Sequence, residues 1–403
     1  MKFFVKTYGC SHNQADSLVM IQLLKMQGYT QAKNEKEAEI IIVNTCTVKT
    51  PTEQRIKRYI QDHKEKKLII AGCMIATHKE LFKNYPLIGC NNLADIVKIM
   101  KGEIKESLQK NNTKTKLISL AKNEVIEIVP ISKGCLGDCT YCATKLARGK
   151  LCSYEIKDII NQIKLALKNN KKEFWLTAED TGCYGLDKNT NLIYLLKEIT
   201  KLQGAFKVRL GMINPKYAKS YMEELAQLLN NEKFYKFIHI PLQSGSDKVL
   251  KTMNRYYSKK EFIETVNYLR TKVEDITIAT DIIVGFPGES EKDYNETYEL
   301  IKQLKPQVIN ISKYWDRPFT ESSKMGNQVS LEVKKARAIK LMSLHQKHIS
   351  QLKRKLGKDY ALADEEGYAR TSNYTKIKTA HKLGDYYKIN ITKNNLDLFK
   401  TRN

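Results

Sequence analysis

The first hundred residues alternate short, continuously apolar runs with stretches of helical periodicity. In chain order, the pattern predicts a strand at 2–6, a helix at 16–27, a strand at 39–45, a helix at 51–66 and a strand at 67–72. Strands that are apolar at nearly every position are typical of parallel sheets, because helices cover both faces of such a sheet. The sequence therefore predicts an N-terminal parallel α/β domain, which we assign to residues 1–108.

A second series of strand and helix signals begins at Val125 and continues for about 220 residues. Strands are expected at 125–132, 173–178, 206–213, 237–242, 276–286 and 308–313, and helices lie between them, for example at 154–168, 216–229 and 260–271. Six strand–helix units fit a partial (β/α)6 barrel better than the eight units of a complete barrel. We assign this barrel to residues 121–345 and expect catalytic groups on the loops that follow its strands.

Between and after these regions the pattern changes. Residues 101–123 lose periodicity and are rich in Lys, Asn and Thr, as is typical of a linker. After Gly357, short alternating runs at 374–379, 386–392 and 396–400 predict a small C-terminal antiparallel β-barrel, which we assign to residues 346–403.

Residues 334–358 contain nine Lys or Arg and no Asp or Glu. Apolar residues recur in this segment at helical spacing, namely Ile339, Met342, Ile349, Leu352 and Leu356. The segment is therefore predicted to form a helix with one buried face and one strongly cationic face.

The whole chain of 403 residues carries 69 Lys and Arg against 44 Asp and Glu, which gives a formal net charge of +25. A charge of this size favours a polyanionic partner, and nucleic acid is the first candidate because basic side chains release the counterions condensed on its phosphates. The alternative is a compositional bias toward lysine without any role in binding, since net charge alone says little about specificity.

The sequence shows neither a membrane span nor an export signal. No stretch approaches the ~18 consecutive apolar residues that a span requires, and the N-terminus becomes polar directly after Met-Lys-Phe-Phe-Val-Lys. We therefore expect a soluble cytoplasmic protein without a membrane partner. In the reducing cytosol, its nine cysteines are expected to be metal ligands, nucleophiles or small buried side chains rather than disulfide partners.

Three cysteines within eight residues follow the first predicted strand of the barrel: Cys135, Cys139 and Cys142. This spacing lets one loop wrap around a single metal centre. A structural zinc site requires four ligands, and the nearest fourth candidate, Cys152, lies ten residues further on without a CxxC or HxxxH pattern. A 4Fe-4S cluster with one open iron is therefore favoured over zinc and over purely structural cysteines.

A second set, Cys10, Cys46 and Cys73, occupies equivalent positions after three predicted strands of the N-terminal domain. Connections in a parallel sheet return the chain to the same edge, so these thiols are expected to meet outside the carboxyl ends of the strands. The alternative is three unrelated buried cysteines. The remaining cysteines show no such arrangement and are predicted to be structural: Cys90, Cys152 and, on a barrel loop, Cys183.

Eight motifs distributed along the chain carry a family resemblance. They begin at Tyr8 (YGCSHNQADS), Asn44 (NTCTV), Ala71 (AGCM), Lys133 (KGCLGDCTYC), Trp175 (WLTAEDTG), Arg209 (RLGM), His239 (HIPLQS) and Thr280 (TDIIVGFPGE). Through them the chain resembles the radical S-adenosylmethionine (SAM) methylthiotransferases, and most of all the archaeal and eukaryotic branch that acts on N6-threonylcarbamoyladenosine in tRNA. The family combines an N-terminal cluster domain, a radical core and a C-terminal TRAM barrel, in agreement with the three predicted regions.

The resemblance implies two 4Fe-4S clusters, an auxiliary one on Cys10, Cys46 and Cys73 and a radical-generating one on Cys135, Cys139 and Cys142. The radical cluster would bind SAM at its open iron and, on one-electron reduction, release a 5′-deoxyadenosyl radical that can attack the unactivated C–H bond at C2 of adenine. The auxiliary cluster would carry the sulfur, and a second SAM would donate the methyl group. The implied partners are the tRNA anticodon arm, gripped by the cationic helix and the C-terminal barrel, a one-electron reductant protein and a sulfur source of unknown identity.

Three further residues are candidates for cofactor binding. Tyr141 lies between two cluster ligands and is expected near the adenine of SAM, with core packing as the alternative. Glu179 follows the second barrel strand and would meet the ammonium group of SAM, with a solvated loop carboxylate as the alternative. Gly285 ends a barrel strand and would permit close approach of the backbone to the cofactor.

The chain departs from the family at two positions. It has Arg317-Pro-Phe-Thr320 where relatives usually have Arg-Pro-Gly-Thr, and Cys183 where they usually have Ala. Neither change touches an expected cluster ligand. Two other functions stay open at this point: the same chemistry on isopentenyladenosine in tRNA or on a ribosomal-protein aspartate, and an iron–sulfur RNA-binding protein without catalytic turnover.

Overall fold

The computed structural model describes residues 1–109, 121–351 and 357–392. Its N-terminal part is a six-stranded parallel sheet with helices on both faces, which confirms the predicted α/β architecture. The elements are β1 (Lys2–Thr7), α1 (Ser11–Met26), β2 (Thr30–Gln31), β3 (Ile40–Thr45), α2 (Thr50–Asp62), β4 (Lys67–Gly72), α3 (Ile75–His78), β5 (Leu87–Ile88), α4 (Ile96–Lys101) and β6 (Glu106–Ser107). The strand order is β2-β1-β3-β4-β5-β6, so the strands that precede the three N-terminal cysteines are neighbours at the centre of the sheet.

Helix α1 begins earlier than predicted, at Ser11 rather than at residue 16. Its first turns bury polar side chains, among them His12, Asn13 and Asp16. A search for apolar periodicity cannot recognise such turns, because their buried side chains are polar. The beginning of α1 is therefore a polar surface that faces the rest of the molecule.

The central part contains all six predicted strands, and they form two parallel sheets of three strands each. The elements are β7 (Ile126–Pro130), β8 (Ser132–Lys133), α5 (Ala143–Arg148), β9 (Cys152–Ser153), α6 (Ile156–Lys168), β10 (Glu173–Thr177), α7 (Leu192–Thr200), β11 (Lys207–Leu210), α8 (Pro215–Ser220), α9 (Met222–Leu229), β12 (Phe237–His239), α10 (Asp247–Thr252), α11 (Lys259–Lys272), β13 (Thr277–Val284), α12 (Glu291–Leu304), β14 (Val308–Lys313) and α13 (Leu331–Gln351). The sheet orders are β11-β10-β7 and β12-β13-β14. Val208 N donates to Lys233 O and Tyr235 N donates to Val208 O, and these two hydrogen bonds join the edge of the first sheet to the segment before the second.

Two predicted helices differ from the structure. The helix expected at 216–229 is two helices, α8 and α9, with a break at Tyr221. The cationic helix is described as far as Gln351, and Lys358 lies in a strand rather than in this helix. The predicted buried face of α13 is also wrong, because Ile339 is 64% exposed whereas Arg337, Leu341, Leu344, His345 and His348 are buried.

The C-terminal part contains the predicted antiparallel strands in one sheet of order β17-β16-β15-β18, and closure of this sheet into a barrel stays a prediction. Its strands are β15 (Gly357–Glu365), β16 (Tyr368–Thr371), β17 (Lys376–Lys378) and β18 (Tyr386–Ile391). The strand expected at 396–400 lies outside the described residues. The sheet packs against the start of the core strands: Lys236 N donates to Ser372 O at 2.8 Å, and the Tyr374 ring lies 4.7 Å from that of Tyr235.

The structure also bears on the linker and on membrane association. Much of the predicted linker at 101–123 lies outside the described residues, although α4 and β6 occupy its beginning. Among the helices that the structure describes, none has the length and apolar character needed to cross a bilayer.

Candidate active site

The three N-terminal cysteines follow adjacent strands and meet around the start of α1. Cys10 lies just before α1, Cys46 directly after β3 and Cys73 directly after β4. A methyl group added to Gly9 would lie 3.1 Å from Cys46 Sγ, so the loops that carry Cys10 and Cys46 are in contact. The Cys73 thiol lies 3.6 Å from Asn13 Oδ1 of α1. The segments that carry the three cysteines are therefore close to one another, and the meeting of their thiols at one cluster stays a prediction.

A fourth cysteine accompanies this set. Cys90 Sγ lies 3.6 Å from Cys73 Sγ, and both residues are buried. The sequence predicts no strand before Cys90 and therefore a structural role for it, yet Cys90 follows β5, the next strand of the sheet after β4. A strand of two residues gives no periodic signal, so the position of Cys90 could not be recognised from the pattern.

Two cysteines of the second set, Cys135 and Cys139, lie beside Gly137 in the loop between β8 and α5. A methyl group added to this glycine would lie 3.4 Å from Cys135 Sγ and 3.8 Å from Cys139 Sγ. Gly137 N donates to Cys135 Sγ at 3.2 Å, and Arg255 Nη1 donates to Cys139 Sγ at 3.0 Å. Such donors stabilise thiolate sulfur, which is the form that binds iron. This donor set fits a cysteine-ligated cluster.

Burial acts in the opposite direction on the thiols of both sets. It raises the pKa of Cys46 and of Cys142 to about 11. Without a metal, both side chains are therefore neutral thiols at neutral pH. Metal binding must displace their protons, so loading of the site is expected to be favoured at higher pH.

Two residues after β10 lie beside the second set. The sulfur atoms of Cys135 and Cys183 and a carboxylate oxygen of Asp180 are all within 4.8 Å of one another. Cys183 is fully buried and donates to the carbonyl oxygen of Asp180 at 3.2 Å. Cys152, by contrast, lies in β9 opposite Lys133. Cys183 is thus next to a candidate ligand, although its own role stays a prediction.

A cavity of about 360 Å³ lies between the two cysteine sets, at the carboxyl ends of β13 and β14. One wall is the segment 47–49 that follows Cys46, and another contains Tyr141 and Cys142. The remaining lining residues include polar and aromatic side chains, namely Gln243, Asp281, Asn310, Ser312, Lys313, Tyr314, Trp315 and Arg317. This cavity is the candidate active site, because it is where ligands bind in parallel α/β folds.

Asp281 is the carboxylate of this cavity. Its side chain accepts from Asn310 Nδ2 at 2.7 Å and lies 3.0 Å from His239 Nε2. Burial alone would raise the pKa of Asp281, but the contacts with His239 and Asn310 outweigh burial and lower it. The cavity therefore contains a fixed, ionised carboxylate at neutral pH.

Gln243 shows two features expected of a ligand-binding residue. Its backbone adopts φ +69°, a left-handed conformation that costs a residue with a side chain about 1–3 kcal/mol. Its Oε1 is buried and has no hydrogen-bond partner within the described part of the chain. An unpaired buried acceptor in the wall of a cavity indicates that a bound molecule supplies the donor.

Tyr141 lines the cavity, and its ring packs edge-on against Phe286 at 6.3 Å. Its contact with a cofactor stays a prediction, since the observed packing is also its alternative role.

Glu179 is buried at the junction of the N-terminal sheet and the core. Its Oε1 lies 3.0 Å from Arg148 Nε and 2.8 Å from His12 Nδ1, and Arg148 Nη2 also donates to Asp16 at 2.7 Å. Its Oε2 has no hydrogen-bond partner among the residues described. Glu179 is therefore not the solvated carboxylate of the alternative interpretation, and one oxygen is left for the predicted SAM contact.

The structure explains the glycine at position 285 by its backbone conformation and by the approach of α13, whereas the prediction was close approach of the backbone to the cofactor. The φ of Gly285 is +72°, and an added methyl group would overlap the side chain of Lys334 of α13. Lys334 also lies 5.0 Å above the ring of Tyr314, which lines the cavity. The space over Gly285 is thus filled by α13, and a direct cofactor contact there stays a prediction.

Two family models match the chain. The model of the "Uncharacterized protein family UPF0004" matches residues 2–91, which contain the first cysteine set and Cys90. The model of the "Radical SAM superfamily" matches residues 129–301, which contain the second set.

Relatives with curated names are similar over most of the chain. A protein of Pyrococcus horikoshii named "Probable threonylcarbamoyladenosine tRNA methylthiotransferase" is 40% identical over 80% of this chain and 79% of its own length. A protein of the same name from Methanocaldococcus jannaschii is 36% identical over 97% and 94%, respectively. The Homo sapiens "Threonylcarbamoyladenosine tRNA methylthiotransferase" is 39% identical over 83% of this chain and 61% of the human protein.

The fold is similar to solved radical SAM proteins. The radical S-adenosylmethionine methyltransferase TsrM of Kitasatospora setae has a TM-score of 0.60 at 12% identity, over 90% of this chain and 79% of TsrM. The cobalamin-dependent S-adenosylmethionine radical enzyme OxsB has a TM-score of 0.52 at 12% identity, over 86% of this chain and 56% of OxsB. At this level of identity the similarity concerns the fold alone.

Proposed function

The chain belongs to the threonylcarbamoyladenosine tRNA methylthiotransferases of archaea and eukaryotes, and from this membership we propose that it adds a methylthio group to N6-threonylcarbamoyladenosine beside the anticodon. The protein is a radical SAM enzyme, which implies a 4Fe-4S cluster and SAM. The target C–H bond at C2 of adenine is unactivated, so a cofactor rather than a general base must supply the reactivity.

We assign the radical cluster to Cys135, Cys139 and Cys142, and a second, auxiliary cluster to Cys10, Cys46 and Cys73. The observation that carries this assignment is the shared cavity, whose wall includes Cys142 and the segment that follows Cys46. A base held in this cavity would be in reach of both sets. Loss of hydrogen and gain of sulfur could then occur at one carbon without release of the tRNA.

The cavity walls suit a modified adenine. Tyr141 and Trp315 offer aromatic faces for stacking, and Gln243, Asp281 and Asn310 offer donors and acceptors for base edges. When bound, SAM and the radical cluster supply a one-electron route to a radical that can remove the hydrogen atom from C2. The protein side chains hold the base in place and exclude water from that radical.

Lys49 and Lys313 give the cavity positive charge. Neither lysine is in an ion pair with a carboxylate among the residues that the structure describes. The threonylcarbamoyl group ends in a carboxylate, so we propose that these lysines bind it. An isopentenyl group has no charge and would leave both lysines without a partner.

For the anticodon arm, we propose a contact with α13. The helix begins beside the cavity through Lys334, and its side chains Lys335, Lys340 and Lys347 are exposed. The C-terminal sheet lies at the opposite end of the core strands, so we propose that it contacts tRNA at a distance from the reacting base. The division into domains 1–108, 121–345 and 346–403 is kept as part of the proposal, although α13 continues across position 345.

The reaction also needs a one-electron reductant protein and a sulfur donor. We propose the cytoplasm as the compartment, where the cysteines are kept reduced.

The test is mass spectrometry of tRNA nucleosides from cells with and without the gene. We expect the 2-methylthio derivative of N6-threonylcarbamoyladenosine to disappear on deletion and to return with the wild-type gene. Cys139→Ala should fail to restore it, whereas Cys152→Ala, a cysteine outside both sets, should restore it. An undiminished peak after deletion contradicts the proposal.

The alternatives give different results in the same cells. Loss of 2-methylthio-isopentenyladenosine, or of a methylthio group on a ribosomal-protein aspartate, would identify one of the other substrates. Equal tRNA binding by wild type and Cys139→Ala, with no 5′-deoxyadenosine from either, would favour a non-catalytic iron–sulfur RNA-binding protein.

A further inference from the structure

A second cavity, of about 550 Å³, is lined by Cys90 and by Gly72, the residue before the auxiliary Cys73. It shares no lining residue with the cavity described above. Its walls include Gly72 beside Cys73, Gly89 and Cys90 after β5, Lys145 of α5 and the exposed side chain of Phe319. A small molecule can therefore approach Cys90 while a nucleobase occupies the first cavity.

Cys90 is positioned to pass an atom to the auxiliary site. Its sulfur lies 3.6 Å from that of Cys73, which is close to the van der Waals separation of two sulfur atoms. A sulfur atom attached to Cys90 through a bond of about 2.05 Å would thus lie next to Cys73. Cys90 belongs to neither proposed ligand set, so its thiol is available for this chemistry.

Two side chains of the second cavity indicate what binds there. Asn92 is 5% exposed, and its Oδ1 has no hydrogen-bond partner among the described residues. Lys145 donates to the carbonyl oxygen of Gly137 but forms no ion pair with a carboxylate in the described part of the chain. An unpaired acceptor and an uncompensated cation suit a molecule with an amino group and a carboxylate, and the volume is typical of small-molecule sites.

We propose that Cys90 accepts a sulfur atom from a small hydropersulfide of the amino-acid type, R–S–SH, bound in the second cavity, and presents it beside Cys73. This inference rests on the proposed function, because a methylthio transfer consumes one sulfur atom per product. The Cys90 thiolate attacks the outer sulfur of R–S–SH, the S–S bond of the donor breaks, and its electron pair leaves with RS⁻. A new S–S bond forms on Cys90, and no external oxidant or reductant is required.

The test uses the anaerobically reconstituted holoprotein, in which the proposed ligands are occupied by iron. Cysteine hydropersulfide is added, the thiols are alkylated, and peptides are analysed by mass spectrometry for one added sulfur atom. We expect the added sulfur on Cys90 in most chains and little on Cys152 or Cys183. The label should be absent in Cys90→Ala and unchanged in the matched control Cys152→Ala.

A second variant tests the route. Ala76 is an exposed residue of the cavity lining, and Ala76→Trp should slow labelling of Cys90 at least several-fold while iron content stays at the wild-type level. Labelling of Cys152 or Cys183 in place of Cys90, or equal rates in Ala76→Trp, would overturn the inference.

Formation of 5′-deoxyadenosine is measured in the same preparations. If it occurs without labelling of Cys90, the inference fails and the proposed function stands. If it does not occur in the wild-type protein, the proposed function itself fails.

Discussion

Arg255 places a positive charge against one of the proposed cluster ligands. Its Nη1 donates to Cys139 Sγ at 3.0 Å, and its Nε donates to the Tyr257 hydroxyl at 3.1 Å. The Tyr257 hydroxyl in turn donates to the carbonyl oxygen of Leu242 at 2.8 Å, so the guanidinium is held in place by the segment that follows β12. A fixed donor to a cluster ligand stabilises the more negative, reduced cluster.

Replacing Arg255 is therefore expected to lower the reduction potential of the radical cluster. A loss of about 1.4 kcal/mol, slightly below the usual range for a hydrogen bond to a charged group, corresponds to about 59 mV for one electron. The measurement is a redox titration followed by electron paramagnetic resonance, with Arg255→Met compared with Lys251→Met as an exposed control. An unchanged potential in Arg255→Met would show that this contact does not tune the cluster.

Phe319 explains one departure from the family. It occupies the position where the family resemblance leads us to expect Gly, its φ is +66°, and its side chain is 70% exposed. A left-handed conformation favours glycine, because other residues bring Cβ too close to the following carbonyl oxygen. The backbone at Phe319 thus has the left-handed conformation that glycine adopts without strain, and the exposed phenylalanine side chain contributes little packing.

Phe319→Gly is expected to raise the free energy of unfolding by about 1 kcal/mol through relief of this strain. Phe319→Ala keeps Cβ and should give no gain. Urea unfolding of the three proteins measures the difference, and a destabilised Phe319→Gly would mean that the exposed ring makes a needed contact.

For single residues, the position of a side chain directly after a predicted strand was a better guide to the candidate site than the residue type alone. The regular arrangement of each set singles out the six proposed ligands, whose role stays a prediction, whereas the position of Cys90 gives no signal because β5 is only two residues long. Glu179 was a candidate only through its position after a strand, and Asp281 was not singled out from other carboxylates, because the contacts that set the two apart, with His12, Arg148 and His239, cannot be deduced from the sequence.

Among the elements, α13 shows why the pattern of apolar residues can indicate the wrong face of a helix. Arg337 is buried and pairs with Glu289 at 2.7 Å and with Glu291 at 3.1 Å. Burial raises the pKa of Glu289 to about 7, although Arg337 opposes this. The pattern of apolar residues places Arg337 on the cationic, solvent-facing side of α13, whereas in the structure its side chain points into the protein.

Arg337→Met should lower the free energy of unfolding by about 3–5 kcal/mol, because it leaves Glu289 buried without its partner. The folded pKa of Glu289 is already above its ordinary value of 4.5, so protonation favours the folded state. Glu289 is neutral at about pH 5 and ionised at about pH 8. The decrease in the free energy of unfolding caused by Arg337→Met should therefore be larger at about pH 8 than at about pH 5. Denaturant unfolding at both pH values measures it, with Lys335→Met as the exposed control; a loss independent of pH would contradict this account.

For the whole molecule, buried charges join the parts. Arg148 of the core reaches Asp16 of the N-terminal helix α1, and Arg317 pairs with Glu53 of α2 at 3.0 Å. At the other end, Glu173 accepts from Trp175 and from the Tyr235 hydroxyl beneath the C-terminal sheet. The sequence predicted the three regions from their periodicity but not these contacts, because residues distant in sequence form them.

Glu173 gives this end of the molecule a pH dependence. Burial, and after it the charge of Asp364 in β15, raise the pKa of Glu173 from 4.5 to about 7. The contribution of Glu173 to the free energy of unfolding is therefore fully present below about pH 4.5 and is lost as the pH rises through about 7. Glu173→Gln should remove this dependence, which is on the order of 3 kcal/mol. Thermal unfolding between about pH 5 and 8 measures it, and an equal slope in both proteins would contradict the assignment.

The central claim is that two clusters on two cysteine sets serve one cavity. It is tested by iron analysis and product analysis of the reconstituted protein and of two triple variants, one with alanine at Cys10, Cys46 and Cys73 and one with alanine at Cys135, Cys139 and Cys142. The account predicts about eight irons in the wild type and about four in each variant. The first variant should still form 5′-deoxyadenosine from SAM but no methylthio product, and the second should form neither. Full iron content in either variant, or methylthio product from the first, would contradict it.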